Sequence, residues 1–156
     1  MNLPEPIAEA IMPLIETLGT DAAMEQLVVR EGAAHDLIRV VEAVLAKDAV
    51  GKKPALGAAL WLYVDELDRS HVISQQLPDA TGSFWHGIMH RREGDFSNSH
   101  YWFRQTGAHP AMADIAGYDP HAFIDAVEAR DRTIAADLVD LQRREWAALF
   151  EWCCFE

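Results

Sequence analysis

Glycine and proline cut this chain into pieces of helix length, and within each piece the apolar residues return every three or four positions. That period puts them on one face of a helix, whereas a half-buried strand needs strict alternation, and no stretch alternates convincingly. An all-α fold follows. Its first helix is expected over Pro4–Leu18, ended by Gly19. Asp21 is placed to cap a second, reaching about Glu31, with Gly32 behind it. His35–Lys47 carries Leu37, Val40, Val41, Val44 and Leu45 at helical spacing. Asp48–Lys53 reads as a loop, and Pro54 suits the first turn of a long helix that reaches Gln76 and stops at Pro78. Further helices are expected at Ser83–Arg92, Ser97–Thr106, Pro120–Arg130 and Thr133–Cys153. The sum is a single-domain helical bundle of about seven to eight helices over residues 1–156.

With 156 residues, half of them apolar, the chain can bury a core without staples, and five Trp, six Phe and three Tyr argue against disorder. Cys153 and Cys154 are neighbours with no other thiol to pair with. Adjacent cysteines do not readily reach disulfide geometry, so a reducing, cytoplasmic setting is expected. Met1–Gly19 lacks the basic start and unbroken apolar run of a signal peptide, and no segment approaches the roughly 18 apolar residues of a membrane span. A formal net charge of −12 disfavours nucleic acid and anionic membranes, which need a cationic footprint.

The charge is uneven. Between residues 82 and 110, Arg91, Arg92 and Arg104 outnumber Glu93 and Asp95 by one, which leaves −13 for the rest. Four of the seven histidines, His86, His90, His100 and His109, fall in the same stretch. A neutral-to-basic island in an acidic chain suits an anionic small ligand. Arginines paired with acids from neighbouring helices account for it equally well.

Polar residues on faces that packing would fill with apolar ones show where chemistry is to be sought. On the helix from Pro54, Leu56, Leu60, Tyr63 and Leu67 form a stripe that His71 continues, with Asp68 a turn away to orient its ring. Most histidines so placed are core residues bonded to a carbonyl or carboxylate. On the closing helix, Ile134, Leu138, Leu141, Ala148 and Trp152 define a seam with Glu145 in its middle. A carboxylate there is costly unless paired, so Glu145 is expected to pair structurally with an Arg or His from 82–110. His86 and His90, at i and i+4, share a face opposite Phe84, Trp85, Ile88 and Met89, the spacing that brings two imidazoles to one divalent metal ion. The stretch lacks the glutamate of a zincin, so a third ligand has to come from Glu93, His71, His100 or Glu145. Hydrogen-bonded or solvent-facing histidines are the ordinary alternative. Ser97 can cap the next helix, on which Tyr101, Trp102 and Phe103 point three ways. A helix apolar all round is normally buried, and some of Asn98, His100 and Arg104 with it. Asp95 is expected to shape the loop and helix start.

The run His90-Arg91-Arg92-Glu93-Gly94-Asp95-Phe96-Ser97-Asn98, continued by Tyr101-Trp102-Phe103-Arg104, Gly107 and His109-Pro110, resembles a shared motif. The motif, HRRE-x-D-(F/Y)-SN-x-x-YWFR, belongs to a group of bacterial and fungal proteins with no assigned activity. Leu60–Ser70 and Glu145-Trp146 are similar too, so the resemblance spans roughly residues 55–150. That group commonly carries proline where this chain has Gly94. The resemblance implies kinship and brings no function with it.

Two functions stay open. In the first, the chain binds a small anionic or polyhydroxylated molecule, as an enzyme or as a binder, in a pocket built from residues 82–110. Arg91, Arg92, Asn98, Arg104 and His109 would hold that ligand, and Tyr101 or Trp102 would stack on it. His71, His86 and His90 would act as catalytic acid or base, or His86 and His90 as ligands of a divalent metal. No nucleophile elbow, phosphate-cradling glycine loop or CxxC pair is present. In the second, the chain is a non-catalytic interaction module, a homodimer with a structural polar network. Its C-terminal Trp146, Phe150, Trp152 and Phe155 would then meet a partner.

Overall fold

The computed structural model describes residues 1–129 and 136–156, and every regular element among them is helical. Among the described residues nine α-helices follow in order: α1 (Glu5–Thr17), α2 (His35–Leu45), α3 (Asp48–Gly51), α4 (Pro54–Tyr63), α5 (Leu67–Ser74), α6 (Ala80–Glu93), α7 (Phe96–Thr106), α8 (Pro120–Ala129) and α9 (Ala136–Phe155). A 3₁₀ helix, Pro110–Asp114, stands between α7 and α8. No described helix is long and apolar enough to cross a membrane. Arg130, Thr133 and Ile134, to which the sequence also assigns helix, lie outside the described residues.

The core forms around α4, whose residues Leu56 to Tyr63 are all buried, as a helix without a polar face requires. Trp146 of α9 donates its indole N–H to the Ala59 carbonyl at 2.8 Å and lies 5.0 Å from the Tyr63 ring. Tyr63 in turn bonds the Leu18 carbonyl at 2.7 Å, tying α4 to the end of α1. Cys153 and Cys154 are buried free thiols, pushed up by burial to about 12 and about 11, and serve as small apolar fillers. Trp146 and Phe150 are buried as well, so of the four C-terminal aromatics only Phe155 is freely exposed, with Trp152 half-buried.

Three segments depart from the local reading. Residues 21–31 form no helix; Met24 takes a φ of +54°. The carbonyls of this stretch serve other helices instead. Ala23 accepts from Arg143 Nε at 2.9 Å, Met24 from Gln142 Nε2 at 2.8 Å, and Gln26 from Gln142 and Arg92, both at 3.1 Å. Those donors, buried at Gln142 and Arg92 and half-buried at Arg143, need acceptors more than the segment needs its own helical bonds. Asp48–Gly51, expected as loop, makes one helical turn.

The third departure shapes the site. The helix expected over Pro54–Gln76 breaks between α4 and α5, where Asp65 has a φ of +64°. Aspartate enters the left-handed region more readily than most residues, and here its surroundings hold it there. Arg92 does so, pairing with the Asp65 carboxylate and donating to the Leu62 carbonyl at 2.6 Å. The break lays α5 against α6.

α6 begins at Ala80, capped by Asp79, whose carboxylate accepts the Gly82 N–H at 2.7 Å. Gly94 closes it in the left-handed region at φ +89°, its N–H bonded to the Arg91 carbonyl at 3.1 Å while Asp95 N–H reaches His90 at 2.9 Å. A proline at this position fits neither that φ nor that donated bond. Asp95 caps α7 in place of Ser97, accepting from the Asn98 backbone at 3.1 Å and its side chain at 2.7 Å. α7 comes close to α6 because Gly87 has no side chain: a Cβ there would sit 2.8 Å from the Phe103 ring. Ser99 Oγ donates to the Gly87 carbonyl at 2.7 Å across the same contact. Only Ser99, Phe103 and Thr106 of α7 are buried; Asn98 and Arg104 are exposed and Tyr101 is 47% exposed, so the helix is not enclosed on all sides.

Candidate functional site

The two consecutive arginines of α6 belong to the interior. Arg91 is wholly buried, donates to both oxygens of Glu145 at 2.8 and 2.5 Å, and stacks its guanidinium 4.0 Å from the Phe123 ring. Tyr118 donates its hydroxyl to the same carboxylate, and burial next to Glu145 raises its pKa well above the ordinary phenol range. Arg92 is equally buried, and desolvation lowers its pKa against the opposing pull of Asp65. Both guanidinium groups thus meet internal partners through their terminal nitrogens, while among the described residues the Nε of each is buried without one. His109 is also enclosed: its Nδ1 accepts the Ala111 N–H at 3.2 Å, which leaves Nε2 to donate to Thr81 Oγ1 at 3.1 Å. It caps the 3₁₀ helix, and burial lowers its pKa. Asn98 is taken up by Asp95.

Three histidines gather where α5, α6 and α7 meet. One ligating atom from each of His71, His86 and His90 lies within 4.8 Å of the other two. The rings of His86 and His90, one helical turn apart, are nearly parallel at 17° with centroids 4.8 Å apart. His71 approaches both edge-on, at 4.7 and 5.5 Å. The Trp102 indole lies flat on His86, 3.9 Å away at 12°, and fixes that ring by stacking. His71 therefore supplies the third imidazole, whereas His100 and Glu145 are engaged elsewhere. The sequence placed His71 on a continuous stripe; the turn at Asp65 is what carries it to α6. Among the described residues Asp68, exposed on α5, makes no hydrogen bond to it.

Hydrogen bonding within this group is sparse. His90 Nδ1 meets Glu93 Oε2 at 3.0 Å. Among the described residues neither His71 nor His86 has a hydrogen bond to a ring nitrogen, and His86 Nδ1 is buried without any partner. It is one of six buried side-chain nitrogen and oxygen atoms left unpaired among the described residues, and the one that lies in a group of imidazoles able to ligate an ion. Burial, together with the neighbouring His90 and His71, pushes the His86 pKa down to about 4. Its imidazole is neutral at physiological pH, with a lone pair to offer.

A second histidine group joins α7 to α8. The Nδ1 atoms of His100 and His121 are 2.7 Å apart, and His100 Nε2 meets Asp125 Oδ1 at 3.1 Å. With an interplanar angle of 3° and centroids 5.0 Å apart, the two rings lie edge to edge in one plane, not face to face. That is the geometry of an N–H···N hydrogen bond. His121 carried no signal in the sequence, since nothing local distinguishes it from any polar residue in the first turn of a helix.

Compared with models of protein families, with curated proteins and with solved structures, the chain matches none.

Proposed function

We propose that this protein holds one divalent transition-metal ion on His71, His86 and His90 and presents it to a small ligand beside Trp102. The observation that carries this reading is the convergence of three imidazoles of which two lack any hydrogen bond to a ring nitrogen among the described residues, one of them with a buried unpaired Nδ1. An ion supplies the partner those nitrogens lack. Neutral imidazoles suit Zn²⁺, Co²⁺, Ni²⁺, Cu²⁺ or Fe²⁺, whereas Mg²⁺ and Ca²⁺ favour oxygen.

Three protein ligands leave a coordination position for water or for an oxygen of the ligand, as catalytic centres do and closed structural sites do not. An ion so held acidifies bound water and polarises a carbonyl or phosphoryl oxygen. The attraction for an anionic or polyhydroxylated molecule, which the sequence suggested through arginines, passes in this reading to the ion. The interaction-module alternative has less support, because Trp146 and Phe150 are buried.

The test uses protein purified without a histidine tag, stripped by chelator and titrated with Zn²⁺ by calorimetry. One equivalent binds, and a hundredfold excess over Kd stabilises the fold by about 2.7 kcal/mol. His86→Ala and His90→Ala abolish that uptake; His35→Ala, at an exposed position, does not. A wild-type chain that takes up neither Zn²⁺ nor Co²⁺ overturns the reading.

A further inference from the structure

We infer that Glu93 is the positioning residue of this centre: its carboxylate holds His90 Nδ1–H and so turns Nε2 toward His71 and His86. The inference rests on the metal reading above and assigns a role to the one acid that, among the described residues, is bonded to any of the three rings.

Glu93 lies three residues after His90 on the last turn of α6, so the two side chains are neighbours on the helix surface. Its Oε2 stands 3.0 Å from His90 Nδ1. A carboxylate only accepts hydrogen bonds, so the proton of a neutral His90 sits on Nδ1 and the lone pair on Nε2. The nitrogen left to join His71 and His86 is then Nε2.

Glu93 itself is not grouped with His71 and His86. Its carboxylate clusters with His90 and Asp95 instead, as a partner of His90 alone among the three imidazoles. Asp95, the other acid of that cluster, is occupied at both oxygens by Asn98 as the cap of α7. The pattern His86-x-x-x-His90-x-x-Glu93 on one helix therefore divides into two ligands and one orienting group, and not into three ligands.

The need for orientation differs among the rings. His86 is clamped by Trp102. His90 has no indole against it and takes its alignment from Glu93. A carboxylate behind a ligating imidazole also raises its basicity, and losing such a partner typically weakens metal affinity 10- to 100-fold. The side chain of Glu93 is 50% exposed, so its removal disturbs little packing.

The experiment compares Co²⁺ binding by the wild type, Glu93→Ala, Glu93→Gln and Asp125→Asn, read by the visible absorption of the bound ion and by Kd. Glu93→Ala should weaken binding at least about tenfold and alter the spectrum, with the metal-free melting temperature unchanged. Glu93→Gln, which keeps an accepting oxygen without the charge, should fall between it and the wild type. Asp125→Asn should bind like the wild type. Nitrogen-15 shifts of Zn²⁺-loaded wild type should show His90 protonated at Nδ1 and ligated at Nε2. Wild-type affinity in Glu93→Ala, an equal loss in Asp125→Asn, or ligation through Nδ1 overturns the role of Glu93 and leaves the metal centre standing. Failure of the wild type to bind Co²⁺ overturns both.

Discussion

His100 and His121 bond to each other across α7 and α8, with Asp125 on the far nitrogen of His100. His71, His86 and His90 meet across α5 and α6, and among the described residues one of their ring nitrogens is bonded, to Glu93. Both groups bring imidazoles within hydrogen-bonding or ligating distance of one another, so proximity does not separate them. What separates them is the state of their nitrogens. The α7–α8 group closes on itself: one ring donates, the next accepts, and a carboxylate takes the remaining donor. It lies near the surface, where the His100 and Asp125 side chains are 25% and 68% exposed and water can complete the bonding. The α5–α6 group is drier and open. The buried, unpaired His86 Nδ1 costs stability, because it has given up water without gaining a partner among the described residues.

The sharpest way to break this contrast is to remove what holds α6 in place. Glu145→Ala strands Arg91 in the core without its partner and takes an acceptor from Tyr118. Urea unfolding should show a loss of about 3–5 kcal/mol, the cost of a buried charge left alone. A loss below about 1 kcal/mol would mean that packing and not the ion pair secures the helix carrying His86 and His90.

Acid distinguishes the groups next. In chelator-treated protein His86 titrates near 4 when folded, against about 6.5 when unfolded. Between those values the unfolded chain binds a proton that the folded chain refuses. Stability is therefore fully present above about 6.5 and falls as pH drops toward 4, by roughly 2–3 kcal/mol. His86→Phe, which keeps a ring against Trp102, should flatten that slope. An unchanged slope in the variant would place the acid sensitivity elsewhere.

The smallest expected effect comes from the closed group. His121→Ala removes one N–H···N bond near the surface and should cost about 1 kcal/mol in thermal unfolding, with Zn²⁺ stoichiometry intact. Loss of Zn²⁺ uptake in this variant would show that the two groups act as one unit, and the comparison would fall.

The helices themselves were readable because a 3.6-residue period is a local property, and so were several of their ends. α1 stops short of Gly19, Pro54 opens α4, and His86 and His90 share a face because i and i+4 always do. The partner of Glu145 could be placed within a segment but not named. The site was readable only in part: two of its three histidines follow from spacing, whereas His71 arrives through a turn that no periodicity announces. Asp65 can sit at φ +64° because Arg92 reaches across from another helix to hold it, and 21–31 stays unwound because Arg92, Gln142 and Arg143 need its carbonyls.

The sequence by itself thus determined an all-helical chain, the pair His86 and His90 on one face, and the requirement that Glu145 find a cation. Tertiary structure alone decided that Arg91 and Arg92 turn inward, that the helix after Pro54 breaks, and that His71 completes a group of three. The physical reason is range. Periodicity and capping act between residues a few positions apart, whereas a strained φ or a buried donor is settled by whichever distant side chain the fold brings to it.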